Sequence, residues 1–443
     1  MKLALISLGC SKNLVDSENY LGMLVNNRDF TITRDLSEAD VVIVNTCGFI
    51  GDAKEESIEA ILEVAEHKKD KKDLKLIVTG CLAQRYQQDL ISEIPEIDAV
   101  IGTGQVDQIL GVVDNLSIGN QEIICDSLGF LPNSDTDRIL TTPKHTAYIK
   151  IAEGCNRRCS YCIIPQLRGQ LKSRTIEDIV SEAKKLTING VKELNILAQE
   201  TTEYGHDIYG KPALADLLRE LVKLEGLQWI RIYYMYPASF TDELLELIKN
   251  EPKICKYFDI PIQHISDNIL KSMARAHSSA STIKILRNIK KEIPNATLRT
   301  SIIVGFPGET EENFQELLEY IKEIEFDYIG VFKYSREENT VAHDLPNQIS
   351  EDIKEARWAT LMNLQREIAE KKNKKIINNT IDVMIDGISS ESEYLLEGRS
   401  QSQAYDIDGK ILINDGSGIS GEIVKVKIEQ SFDYDFIGHI VSK

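Results

Sequence analysis

Cys155-Asn156-Arg157-Arg158-Cys159-Ser160-Tyr161-Cys162 decides how this chain is read. It directly follows the apolar run Ala147–Ala152, which reads as a β-strand. Three thiols spaced CxxxCxxC in one short loop can fold onto one face of an iron–sulfur cubane, because cluster irons take thiolate ligands. Three ligands leave a fourth iron open, and an open coordination site is what a catalytic centre needs to bind substrate or cofactor. Zinc is the competing reading. A structural zinc site wants four protein ligands, however, and no fourth Cys or His stands nearby. Buried structural cysteines are the plainer alternative.

Around this loop, residues 146–372 hold six strand-like runs separated by helical pattern: Ala147–Ala152, Glu193–Ala198, Trp229–Tyr234, Phe258–Ile260, Leu298–Val304 and Tyr328–Phe332. One helix reads Ile176–Ile188, closed by Gly190. Six such units fit a partial (β/α)6 barrel with its active face at the strand C-termini. Upstream, residues 1–130 read as a parallel α/β domain, with strand runs at Leu3–Leu8, Val41–Val44 and Leu74–Val78. A helix over Glu55–His67 is expected to bury Ile58, Ile61, Leu62 and Ala65. The polar stretch from Leu131 opens a linker over 131–145. After the basic run Lys371–Lys375, residues 376–443 read as a small OB-like β-barrel, with Val424, Val426 and Ile428 inward and Lys425 and Lys427 outward. The overall class is α/β.

Cys10, Cys47 and Cys81 match no compact metal motif, but each lies just past the end of a strand run. Ligand sites in open α/β sheets form at that edge. If the strands are neighbours the three sulfurs converge, with Gly9, Gly48 and Gly80 letting backbone approach a bulky group. As a set they point to a second open cluster, whereas Cys125 and Cys255 read as structural. The chain of 443 residues carries 51 Lys and Arg against 70 Asp and Glu, a formal charge of −19. Such a chain is a poor generic binder of phosphate backbones and a better match for a basic partner. No run of about 18 apolar residues suggests a membrane span. The opening Met1–Cys10 is too short for a signal-peptide core and reads as a first strand. The expected compartment is the cytoplasm, where cysteines stay reduced and clustered ones suggest metal or catalysis.

The CxxxCxxC with an aromatic before its last Cys, opening a β/α barrel, resembles the radical S-adenosylmethionine enzymes. Ala152-Glu153-Gly154, Ile163-Ile164-Pro165, Arg168-Gly169 and Ser173-Arg174 narrow the resemblance to the methylthiotransferases, whose three-block layout ends in a TRAM domain. Ser7-Leu8-Gly9-Cys10-Ser11-Lys12-Asn13-Leu14-Val15-Asp16-Ser17-Glu18, with Asn45–Ile50 and Glu55-Glu56-Ser57, resembles the RimO type, which modifies ribosomal protein S-twelve. The tRNA-modifying MiaB type, the alternative, reads Tyr-Gly-Cys-Gln-Met-Asn at the first cysteine. The family's Glu-Gly-Thr after the sixth strand is Glu338-Asn339-Thr340 here. Asn is the next most tolerant residue of left-handed backbone, so the same loop shape is expected.

The resemblance implies two 4Fe–4S clusters, a radical one on Cys155, Cys159 and Cys162 and an auxiliary one on Cys10, Cys47 and Cys81. It implies S-adenosylmethionine as radical source and methyl donor, the β-carbon of an aspartate as target, and reduced flavodoxin or ferredoxin as electron donor. Gln199 and Glu200 at the second strand end, and Ser301 and Gly305 at the fifth, are candidate S-adenosylmethionine contacts, each equally readable as a solvated turn. His264 reads as a hydrogen-bonded wall residue, and Arg231 as either cavity-facing or paired with a carboxylate. The last block carries five Lys and Arg against twelve Asp and Glu, a net charge of −7. That balance argues against direct nucleic-acid binding by this barrel and for a basic protein such as S-twelve.

Overall fold

The computed structural model describes residues 1–116 and 121–442; Lys443, the last residue of the third block, lies outside them. The first domain is a six-stranded parallel sheet of β1 (Lys2–Ser7), β2 (Thr31–Ile32), β3 (Val41–Thr46), β4 (Lys75–Gly80), β5 (Ala99–Ile101) and β6 (Glu122–Ile124). Its spatial order is β2-β1-β3-β4-β5-β6, so the direction of winding reverses between β1 and β3. β3 is buried at every residue, as expected of a strand covered on both faces. Helices α1 (Ser11–Asn27) and α4 (Ile109–Leu116) pack on one face. Helices α2 (Gly51–Asp70) and α3 (Cys81–Glu93) pack on the other.

One helix departs from expectation, and another buries polar residues. α2 buries Ser57, Ile61, Val64 and Ala65, while Ile58 and Leu62 are exposed. Its inward stripe is rotated from the expected one, because Ser57 is drawn in by hydrogen bonds to the backbone N–H and C=O of Cys47. α1 buries both its apolar and its polar residues, Lys12, Asn13, Asp16, Ser17, Glu18 and Asn19 among them. It is sandwiched between its own sheet and the second domain, so its polar face meets protein instead of water.

The second domain carries β7 (Thr146–Lys150), β8 (Ala152–Glu153), α5 (Ile164–Arg168), β9 (Lys172–Ser173), α6 (Ile176–Ile188), β10 (Glu193–Leu197), β11 (Trp229–Ile232), β12 (Tyr257–Asp259), β13 (Thr297–Val304) and β14 (Tyr328–Lys333). Parallel sheets β7-β10-β11 and β12-β13-β14 are not paired strand to strand but are joined by a bridge from Ile230 to Ile254 and by the Met235 N–H on the Asp259 carbonyl, giving an open six-stranded barrel. α6 ends as expected, with Gly190 at φ +102°. The stretch 131–145 carries no regular helix or strand yet is firmly packed. Arg138 reaches Glu18 at 2.6 Å and Glu182 at 2.9 Å, and a Cβ on Gly22 would stand 2.3 Å from the Arg138 nitrogen. Only glycine lets this strap lie across α1.

The third domain is a closed barrel of β15 (Thr380–Ser389), β16 (Ser392–Arg399), β17 (Ile411–Asp415), β18 (Ile423–Ser431) and β19 (Phe436–Ser442), in the order β15-β16-β17-β19-β18. Val424, Val426 and Ile428 point inward as expected. This barrel docks under the N-terminal ends of the central strands through buried ion pairs. Glu193 at the start of β10 meets Arg399 at 2.8 Å and Arg231 at 3.2 Å, so Arg231 is carboxylate-paired. Burial opposes the charge on Glu193, but the two guanidiniums hold its carboxyl down at about 2. Asp408 accepts a 2.7 Å hydrogen bond from the Tyr257 hydroxyl.

Candidate functional site: two cysteine trios at one domain junction

Cys155, Cys159 and Cys162 sit on the loop that follows β8. The Cys155 N–H donates to the Gly169 carbonyl, and the Cys162 N–H to the Cys159 carbonyl. The Arg157 N–H points at the Cys155 sulfur, 3.4 Å away. Ser160 ties the loop to the Ser272 and Met273 carbonyls, and Tyr161 packs edge-on against Phe306. Burial first, and then neighbouring groups that include the other sulfurs, push Cys155 up to about 11 and Cys162 to about 12. Thiols held that high ionise when a metal takes the proton's place.

The second trio stands at the reversal point of the N-terminal sheet. β1, β3 and β4 are adjacent, with Ser7 opposite Asn45 and Thr46 opposite Gly80, so Cys10, Cys47 and Cys81 leave neighbouring strand ends. Ligand crevices form at such points. Cys10 caps α1 and Cys81 opens α3, so two of the sulfurs lie at helix N-termini. Burial pushes Cys47 up to about 12, with Cys81 and Cys10 adding to it. Burial also acts on Cys10, but Lys12 and Arg168 outweigh it and lower that thiol. The three glycines serve loop packing more than approach to a ligand. A Cβ on Gly9 would meet the Cys47 Cβ at 2.8 Å, and one on Gly48 the Cys81 backbone at 2.9 Å.

A small packed cluster links the loops that carry the two trios. Cys81 packs in a cluster with Ile163 and Leu167, and Ile163 is the residue after Cys162. Arg168, on α5, exerts its charge on both Cys81 and Cys10. The same guanidinium reaches Asp16 of α1 at 2.8 Å and Glu153 of β8 at 3.3 Å, and Lys150 joins those carboxylates at 2.5 and 2.7 Å. Burial would raise Glu153, but Lys150 and then Arg168 hold it at about 2. Asn13 donates to the Leu8 and Thr46 carbonyls at 3.0 and 2.9 Å, and accepts from Arg168. The segment Ser11–Glu18 is thus the surface that fixes one trio against the other. None of these roles was read from sequence; the available signal was the dense polar run Ser11–Asn13 and Asp16–Asn19 soon after a strand.

Both trios fit an anionic cluster held by thiolates. Arg275 lies 3.8 Å from the Cys159 sulfur, matching the cations beside Cys10 and Cys81. Among the described residues no three His, Cys, Asp or Glu side chains gather as tightly as one metal ion needs. Cubane ligands stand further apart, since each holds a different iron.

The candidate S-adenosylmethionine contacts differ from one another. Gln199 donates to Glu153, which leaves its buried Oε1 without a partner. Glu200 is already engaged by Arg157, at 2.7 and 3.0 Å, and both line a cleft of about 190 Å³ beside Cys155. The Gly305 and Phe306 N–H groups both donate to Glu309, and Ser301 is half-buried next to Gly330. His264 accepts from the Ser266 N–H, and burial, then Arg357, pushes it down to about 3, so it is a neutral wall residue. Asn339 has φ +65°, the left-handed shape its position predicts. Its carbonyl accepts from Gln166, while neighbouring Glu337 pairs with Arg85 at 2.7 Å and Lys54 at 2.8 Å of the first domain. Cys255 is buried, and Cys125 is half-buried near the Ala83 carbonyl.

An open β/α barrel with a CxxxCxxC loop at its strand ends defines a radical S-adenosylmethionine enzyme. Residues 149–321 match the radical SAM superfamily, 2–102 the family described as Uncharacterized protein family UPF0004, and 377–441 the TRAM domain. Relatives named ribosomal protein uS12 methylthiotransferase RimO, from Geobacter sulfurreducens and Clostridioides difficile, are each 48 % identical, covering 100 % of this chain and 99 % of theirs. The chain belongs to the RimO family of methylthiotransferases. Among solved structures, the radical S-adenosylmethionine methyltransferase TsrM from Kitasatospora setae shares the fold at TM-score 0.54 and 16 % identity, covering 74 % of this chain and 72 % of that one.

Proposed function

We propose that this chain transfers a methylthio group to the β-carbon of an aspartate side chain of ribosomal protein uS12. Two 4Fe–4S clusters serve the reaction, one on Cys155, Cys159 and Cys162 and an auxiliary one on Cys10, Cys47 and Cys81. The domains that go with this reading are 1–130 for the auxiliary cluster, a linker at 131–145, 146–372 for radical chemistry, and the TRAM barrel at 376–443. The observation that carries it is the packing of the two loops on each other, with Cys81 against Ile163, and Arg168, which acts on Cys81 and Cys10, next to the Gly169 carbonyl that holds Cys155. When bound, the clusters and S-adenosylmethionine would supply what no acid–base side chain can: a radical able to take hydrogen from a weakly acidic C–H, and a sulfur to replace it.

The chain's own residues bind, orient and shield. The orphan Oε1 of Gln199 is an acceptor suited to the α-ammonium of S-adenosylmethionine. Glu200, fully engaged by Arg157, instead stiffens the cleft wall beside Cys155. The buried network of Asp16, Lys150, Glu153 and Arg168 fixes the separation of the trios and keeps water from the seam. The net charge of −19 suits a basic ribosomal protein. Reduced flavodoxin or ferredoxin would deliver electrons, and eight free cysteines fit a reaction in the reducing cytoplasm.

The test is an anaerobic, reconstituted enzyme given S-adenosylmethionine, reductant, and either uS12 or tRNA. A mass gain of one methylthio group on a uS12 aspartate is expected. A gain on tRNA alone refutes the substrate and favours the MiaB-type reading. In parallel, the triple variant Cys10→Ala, Cys47→Ala, Cys81→Ala should lose about half of the iron and sulfide. Unchanged iron refutes the auxiliary cluster.

A further inference from the structure

Lys12 is a buried cation beside the Cys10 thiol, with no carboxylate partner among the described residues. It is the second residue of α1, two positions after Cys10, and only 8 % exposed. Its ammonium stands 3.5 Å from the centre of the Tyr234 ring. Among the described residues no carboxylate lies within 4 Å of it, whereas the nearby buried cations Lys150, Arg168 and Arg138 each hold two. The closest carboxylate to act on it, Glu153, is spent: one oxygen serves Lys150 and Arg168, the other Gln199 and the Gly154 N–H. A buried ammonium held by a ring face and the neighbouring Cys10, with no carboxylate on it, keeps N–H donors free for a further anion.

The ring is held for this purpose. Tyr234 sits at φ +56°, just past β11, with its N–H on Asp259 at 2.9 Å and its carbonyl accepting from the Thr201 N–H at 3.1 Å. Lys12 therefore spans from the Cys10 loop to the C-terminal end of a barrel strand. We propose that Lys12 binds the side-chain carboxylate of the target aspartate and so determines that an aspartate is the residue modified. The inference rests on the uS12 reading above and names the contact that reading lacks. The β-carbon is one bond from the carboxyl carbon, so an ammonium that grips the carboxylate fixes the reacting carbon too. The carboxylate in turn neutralises Lys12.

S-adenosylmethionine also carries a carboxylate, so the experiment separates the two sources. Full-length anaerobic enzyme, wild type, Lys12→Met and Lys12→Arg, is titrated with uS12, with uS12 whose modified aspartate is changed to Asn, and with S-adenosylmethionine alone; iron is measured throughout. Lys12→Met should weaken uS12 binding about 10- to 100-fold, as loss of a charge-assisted contact does. The Asn substrate should weaken wild-type binding similarly, and the two changes together should cost no more than either alone. Lys12→Arg should retain part of the affinity, and S-adenosylmethionine affinity and iron should not move. Additive losses, or unchanged uS12 binding, overturn the proposal. So does weakened S-adenosylmethionine binding or lost iron with uS12 affinity intact, since Lys12 would then serve the cofactor or the cluster. If wild-type enzyme neither binds uS12 nor modifies an aspartate in it, the proposed function itself fails.

Discussion

Arg168→Met should uncouple the first domain from the barrel. Wild-type Arg168 and Lys150 together face Asp16 and Glu153, two cations against two carboxylates in a fully buried seam. Removing the guanidinium leaves two carboxylates sharing one ammonium and strips Asn13 of its donor. Breaking a buried pair from one side costs roughly 3–5 kcal/mol. The net drop of Glu153 from 4.5 to about 2, with burial opposing it, corresponds to roughly 3 kcal/mol of stabilisation of that carboxylate by Lys150, Arg168 and Gln199 together. For the cooperative unit this is about 10 °C of melting temperature. The pH dependence follows from the sign of the shift. In wild type, a carboxyl held below its ordinary value adds stability above about pH 4.5, lost as pH falls towards 2. In the variant, crowded carboxylates raise one pKa above the ordinary value, so acid relieves the variant first. The assay is thermal melting of the metal-free chain between about pH 7 and 4.5. A variant melting within about 2 °C of wild type at neutral pH, or a gap that does not narrow on acidification, refutes the reasoning.

Gly22→Ala tests the strap across α1: in an open helix it would gain about 1 kcal/mol, but here the added Cβ lands 2.3 Å from the Arg138 nitrogen. It should lower the melting temperature and speed protease cleavage within 131–145, and a stabilised variant would show that the strap is loose. Asn339, at φ +65°, should accept glycine with no loss, while Asn339→Val costs about 1–2 kcal/mol in the loop beside the Glu337 contacts to Arg85 and Lys54. Equal melting temperatures for the two variants would remove that loop from the docking account.

Local signals in the sequence were specific where chemistry or periodicity is local. The CxxxCxxC loop, the six barrel strands, the helix Ile176–Ile188 closed at Gly190, and the left-handed turn at Asn339 all follow from neighbouring residues. Even the meeting of Cys10, Cys47 and Cys81 could be anticipated, because equivalent positions past adjacent parallel strands must face one edge. The inward face of α2 was misread, since Ser57 is buried by hydrogen bonds to Cys47 that no hydrophobic pattern records.

What composition and spacing determined, then, was the set of elements and the cysteine chemistry, both written in short-range patterns. What only the tertiary structure decided was the use of the polar residues. Lys12, Asn13, Asp16, Glu18 and Asp408 carry no local sign of burial. Their partners lie far away along the chain: Tyr234 for Lys12, Arg168 for Asn13 and Asp16, Arg138 for Glu18, and Tyr257 for Asp408. A polar group is buried at low cost when a partner is brought to it, and these pairings exist only once the domains have docked.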